Sequence, residues 1–189
     1  MIPIFRIFEG LFNIPKGPKC GECKSVLINS SCPNTDCPIE VASWVMQWAS
    51  PEAANIPILN KSLALKLARR NLIIHPADLY KLTESDWQQL LEDDEIKLKK
   101  LMEYIESSKK MTPESLVYGF RIKGVDYHVA KDLATKFSTI SKLRALKIEE
   151  LITVGSLSKE TAFIIRQWFR DSFNKRMLKI LDAEGFNLD

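Results

Sequence analysis

Four cysteines, Cys20, Cys23, Cys32 and Cys37, fall close together, and the chain has no others. They form two pairs, C-x2-C and C-x4-C, with eight residues between them. Each pair brackets a turn, with Gly21 inside the first and Pro33 and Asn34 inside the second. Two such thiolate pairs converge on one tetrahedral ion, and zinc is the usual occupant of an all-sulfur set. Four protein ligands leave no open position for substrate, so the pattern predicts a structural zinc. Two disulfides in a secreted domain are the rival reading. Against it, cysteine is sparse for 189 residues, and the opening MIPIFRIFEGLF carries Arg6 and Glu9 without a small-residue cleavage site. The expected compartment is a reducing cytoplasm.

The remaining reactive groups point to no catalytic centre. His75 and His128 have no cysteine or carboxylate set near them in sequence, so they read as packed or surface residues. Glu92, Asp93, Asp94 and Glu95 form a run of acids. They read as a solvated turn at the start of a helix, where the dipole favours carboxylates, with a metal or catalytic cluster as the alternative. The net charge is +3, from 27 basic and 24 acidic side chains. Residues 1–110 balance at 14 and 14, and residues 111–189 carry 13 basic against 10 acidic. The positive excess therefore lies in the second half, which is compatible with phosphate contacts there, although many solvated helical surfaces look the same. No apolar run approaches the roughly 18 residues needed to cross a bilayer, so no membrane partner is expected.

The elements that must carry these groups are mostly helices. Residues 2–14, rich in Ile and Phe, read as one or two strands. Pro15, Gly17 and Pro18 break regular structure ahead of Cys20. Beyond Cys37, Val41, Trp44, Val45 and Trp48 share one helical face, and both tryptophans read as core. A second helix spans Lys61–Arg70, and Pro76 is expected to fix a loop after it. Thr83 suits the cap of a helix from Glu84. Further helices are expected at 97–108, after Thr112-Pro113, at 131–137, 140–146 and 148–152, and as one long helix from Lys159 to about Ala183, stopped by Gly185. The fold class is mainly α: a small four-cysteine zinc knot followed by an all-α domain of stacked helix pairs. The expected divisions are 1–15, an extended segment; 16–42, the zinc finger; and 43–189, the helical domain.

The helix pairs repeat. LITVGSLSKETAFII turns at Ser156, Leu157 and Ser158, with Ala162 opening the next helix. FRIKGVDYHVAKDLA turns at Gly124, Val125 and Asp126, with Ala130 at the same offset. Weaker copies are NIPILNKSLALKLA, turning at 58–60, and LLEDDEIKLKKLM, turning at 92–94. These units resemble the helix-hairpin-helix motif, used four times. Its turn presents backbone N–H groups at a helix N-terminus, which bind phosphate without reading bases. Glycine permits the close approach. Only Gly124 holds a turn-glycine position here, and Gly155 falls just before its turn. Asp93 and Asp94 would repel phosphate. The candidate DNA-contacting residues are therefore Lys123, Gly124, Val125 and Lys131 of the third copy and Ser156, Leu157, Ser158 and Lys159 of the fourth. The first copy is read as mostly structural and the second as wholly so.

The order of these pieces resembles the C-terminal region of bacterial NAD-dependent DNA ligases. The cysteine knot ending CPNTDCPIE, then QWASPEAANI, the DLYKLT at Asp78–Thr83, IESSK at 105–109 and YGFRIKG at 118–124 carry the likeness, which covers residues 18–186. It implies a bacterial, cytoplasmic, nucleoid-associated protein. Such a chain would hold double-stranded or nicked DNA in replication or repair, without base preference. The resemblance also implies that NAD acts only through an adenylation domain, whose K-x-D-G motif this sequence lacks, so the chain is not expected to be catalytic alone. It is either a piece of a larger ligase or a free-standing relative partnered by an adenylation and OB-domain chain; IPIF could match the closing OB strand. The alternative function is a scaffold that kept the fold and lost DNA binding.

Overall fold

The computed structural model describes residues 17–189 except Asp93 and Ser156; the expected strand at 2–14 lies outside these residues. Ten α-helices follow the cysteine region: α1 Pro38–Trp48, α2 Lys61–Arg69, α3 Glu84–Leu90, α4 Glu95–Ser108, α5 Pro113–Gly119, α6 Tyr127–Phe137, α7 Ile140–Ala145, α8 Ile148–Leu151, α9 Lys159–Arg170 and α10 Ser172–Ala183. Among the described residues, β pairing is limited to two isolated antiparallel bridges, Lys19 with Val26 and Ile28 with Ser31. The mainly helical fold class is as the sequence predicts.

Three local expectations change. Pro76 opens a 3-10 helix, Pro76–Lys81, instead of a loop. Proline lacks only an N–H that the first turn would leave unbonded, so it suits a helix start. The sixth helix begins at Tyr127, four residues early, because Asp126 caps it by accepting the Val129 N–H at 2.9 Å. The single long last helix is two. Asp171 takes extended angles (φ −62°, ψ 137°) and caps α10 by accepting the Asn174 N–H at 3.0 Å. Helical periodicity continues through that break, and so conceals it.

One apolar core runs from Val41 to Phe186. Trp48 is its hub, fully buried, with Tyr80 at 6.4 Å edge-on, Phe120 at 6.4 Å nearly parallel and Phe186 at 6.1 Å. Its indole Nε1 donates to the Tyr80 hydroxyl at 3.0 Å, and that hydroxyl lies 2.8 Å from Ser108 Oγ. A buried polar handle therefore finds a partner, and α1, the 3-10 helix and α4 are fixed in one register. Gly119 is required by this packing: a Cβ there would lie 2.8 Å from Trp48 Cε3. His75 is also fully buried, 5.3 Å edge-on from Phe173, and its burial pushes the imidazole pKa down. His128 is exposed.

Candidate metal centre and nucleic-acid interface

Short backbone bonds fold the cysteine region. The Cys20 N–H donates to Ser25 O at 2.8 Å and the Leu27 N–H to Pro18 O at 2.9 Å, closing a tight turn around Cys23. Cys37 stands at the N-cap of α1, followed by Pro38. The four sulfurs lie within 4.8 Å of one another, with Cys20 and Cys37 at 3.6 Å and Cys23 and Cys32 at 3.4 Å. These separations exceed the roughly 2.05 Å of a disulfide bond. They suit a tetrahedron with arms of about 2.3 Å, whose edges are about 3.8 Å. The Ser25 hydroxyl, 3.2 Å from Cys23 Sγ, holds that thiol down to about 6. Burial pushes Cys32 up to about 12 and Cys37 upward too. Sulfurs this close repel one another as anions, and a bound cation removes that conflict. The donor set therefore fits a tetrahedral metal ion in a closed site.

The knot is tied to the helices by charge. Arg69 of α2 pairs with Glu22, and Arg121 pairs with Glu40 of α1 at 3.2 Å. Arg121 takes φ +55°, which ends α5 and turns the chain, and its guanidinium also donates to the Glu40 carbonyl at 3.1 Å.

A single cap geometry recurs along the helical part. Asn60, Asp94, Asp126 and Ser158 each accept, through a side-chain oxygen, the N–H of the residue three further on, at 2.9–3.0 Å. Four residues after three of these caps stand Ala64, Ala130 and Ala162, all at 0% exposure, where a larger side chain would force the hairpin apart. The last two units lie side by side. Gly124 takes φ +80°, and a Cβ on it would sit 3.1 Å from Thr161 Oγ1 in the first turn of α9.

The candidate contact residues divide by position. Lys123, Lys131, Ser158 and Lys159 are exposed. Among the described residues, no backbone carbonyl accepts the N–H of Lys123, Gly124 or Asp126. Tyr127 and His128 open α6, where helix geometry leaves the N–H groups without an intrahelical partner. Val125 is different: its side chain is buried and its N–H donates to Ile122 O at 3.0 Å. Leu157 repeats this, half-buried and bonded to Val154 O at 3.0 Å. Both N–H groups are thus bonded within their turns, and the Val125 side chain is enclosed. Ser156 lies outside the described residues. In the acidic run, Glu92 pairs with Lys66 at 3.0 Å, and Asp94 caps α4 and pairs with Lys97 at 2.9 Å, as carboxylates at a helix start do. The Lys66 and Lys97 ammonium groups hold both carboxyls below their usual range.

Sequence reading missed a cleft of about 750 Å³ between the knot and the α9–α10 corner, lined by Trp44, Trp168, Phe173, Arg121, Lys123 and Asp171 among others. Trp44 is half-buried and lines it, so it is more than core. The break at Asp171 positions Phe173 in its wall, and no periodic signal marks that break. Among the described residues, no helix is long and apolar enough to cross a membrane.

Comparison with known proteins follows the same division. A family model described as "Helix-hairpin-helix motif" matches residues 115–178, which hold the two hairpins that touch through Gly124 and Thr161. The DNA ligase of Bacillus licheniformis is 33% identical over 185 residues, 95% of this chain and 27% of that protein. The DNA ligase of Pediococcus pentosaceus is 32% identical over 176 residues, 91% of this chain and 26% of its own length. That of Halalkalibacterium halodurans is 31% identical over 186 residues, 95% of this chain and 28% of its own. The chain thus spans about a quarter of the length of these relatives. Its helix-hairpin-helix part, with the four-cysteine cluster ahead of it, fits the C-terminal region of a bacterial DNA ligase.

Proposed function

We propose that this chain is the DNA-gripping region of an NAD-dependent DNA ligase or ligase-like protein. The observation that carries the reading is the pairing of the third and fourth hairpins, with Gly124 against Thr161 and free N–H donors beside exposed Lys123. Two such turns, side by side, suit the two backbones of one duplex, held through phosphates and without base readout. The first and second hairpins serve the fold, and together with the last two they make a four-hairpin domain behind the knot. A structural zinc at Cys20, Cys23, Cys32 and Cys37 braces α1, and through Arg121 and Glu40 it steadies the third hairpin. Nick sealing itself, with NAD, belongs to an adenylation domain carried elsewhere, and the site of action is the bacterial cytoplasm and nucleoid.

Fluorescence anisotropy on nicked and intact duplexes at two salt concentrations tests the reading. Affinity should fall by about 0.9 log unit per log unit of salt for each phosphate neutralised. Absence of binding at low salt would overturn it and leave the scaffold reading, in which the hairpins only present a surface to another protein.

A further inference from the structure

The aromatic cleft beside the third hairpin has no part in a duplex grip through hairpin turns. Its volume of about 750 Å³ is within the range of roughly 300–1,000 Å³ typical of small-molecule sites. Its walls are aromatic. Trp168 stacks one face on buried Phe120 at 4.7 Å and 21°, and Trp44 meets Phe173 at 6.3 Å and 41°. All three of Trp44, Trp168 and Phe173 are only half-buried. Trp44 is fixed by its Nε1 donating to Gly119 O at 3.0 Å, and Asn174 Nδ2 donates to Trp168 O at 3.1 Å. The Trp44 indole is therefore held by its hydrogen bond and the Trp168 indole by its stack on Phe120 before anything binds.

Lys123 lies on the wall shared with a shallower hollow formed by Phe163, Gln167 and Arg170. That edge leads directly to the Gly124 turn. Asp36 lines the cleft on the knot side, Asp171 lies on the wall shared with the hollow, and Glu40 is neutralised by Arg121. Cations at the edge suit phosphates. Aromatic faces suit a planar ring, and carboxylates suit the exocyclic amino groups that adenine and cytosine present. A free anion would meet the Asp36 and Asp171 carboxylates, and a purely apolar ligand would give Asp36 no donor.

We propose that this cleft receives an unpaired nucleobase at the end of a strand whose backbone is held by the adjacent hairpin turn. The inference rests on the DNA-grip reading and extends it from duplex to duplex with a single-stranded extension. Bases stack between the Trp44–Phe173 and Trp168 walls, and Lys123 and Arg170 neutralise the phosphates on either side.

Binding is to be compared on the full chain, prepared with zinc, using a blunt duplex and the same duplex carrying a short adenine or cytosine overhang. The overhang should tighten binding on the order of tenfold, the worth of one base–aromatic stack, and should quench tryptophan fluorescence. Phe173→Ala should bring the overhang duplex to the affinity of the blunt one, and Phe173→Trp should restore the gain. Asp36→Ala, at an exposed position on the knot, should weaken the adenine and cytosine overhangs while sparing a thymine one. Equal affinity for blunt and overhang duplexes, with no quenching, would overturn the cleft proposal while leaving the duplex grip intact. Absence of binding to the blunt duplex would overturn the grip alone if the overhang strand still bound and quenched, and both readings if it did not.

Discussion

The turn leading into α4 and the turn leading into α6 occupy the same place between two helices, and they carry opposite chemistry. At the first, Asp94 caps α4 and binds Lys97, while Glu92 reaches across to Lys66. The carboxylates of Glu92 and Asp94 are engaged within the chain and would repel an incoming phosphate. At the second, Asp126 makes the same cap, but Gly124 lies against Thr161 and Lys123 points outward with unclaimed N–H groups beside it. One cap serves both sites. What separates them is the charge of the residues ahead of the cap. A repeated unit can therefore keep its internal bonds and lose its ligand surface by changes at two or three positions.

The largest expected effect removes the part that precedes both turns. Chelation, or Cys37→Ala, should abolish the knot, because apparent binding of a structural zinc is on the order of 10–16 kcal/mol. Far-UV circular dichroism should nonetheless keep most of its helix signal, since the core around Trp48 and Leu67 contains no cysteine side chain essential to it. Complete loss of helix would show that the knot is the nucleus of the whole fold. Next, Trp48→Ala should cost about 3–5 kcal/mol. Because Trp48 touches Tyr80 on one side and Phe120 on the other, both regions should melt together in one denaturant transition. Two transitions would make the regions separate folding units.

Gly124→Ala should cost about 1–2 kcal/mol from its left-handed conformation, with the crowding against Thr161 added. Its duplex affinity should fall as well, which Gly155→Ala, with open space around it and no left-handed angle, should not reproduce. Charge reversal then compares the two regions directly. Lys123→Glu should weaken duplex binding and flatten the salt slope by about 0.9, whereas Lys61→Glu, exposed at the start of α2, should leave both unchanged. Equal losses would place DNA on the first hairpin too. The smallest effect concerns pH. His75 is buried neutral, with its pKa pushed down by desolvation. The unfolded chain therefore takes up a proton before the folded one does. Stability should hold above about pH 6.5 and decline as pH falls below it, and His75→Phe should blunt that decline in urea titrations.

The helical class, the cysteine set and the helix-hairpin-helix region at 115–178 were legible in the sequence because each depends on local rules. Thiol spacing, the 3.6-residue period, and Ser, Thr or Asp before a helix are short-range signals. The cap at Thr83, with Asp86 returning the bond to its N–H at 2.8 Å, is one such case. The break at Asp171 was hidden because α9 and α10 keep a continuous apolar rhythm across it. Pro76 was misjudged because the same residue that ends one helix can open a 3-10 turn.

By itself the sequence determined which thiols are grouped, which residues start helices and which turns carry repelling carboxylates, since these follow from covalent spacing and local hydrogen bonds. The tertiary structure decided that Val125 is buried and that the Val125 and Leu157 N–H groups are bonded within their turns, that Gly124 is pressed against Thr161, and that Trp44, Trp168 and Phe173 line a common cleft. Gly124 and Thr161 are 37 residues apart in the chain, and Trp44 lies more than 100 residues before Trp168 and Phe173. Which side chains meet over such separations is set by how whole helices pack around Trp48, and no local rule encodes that packing.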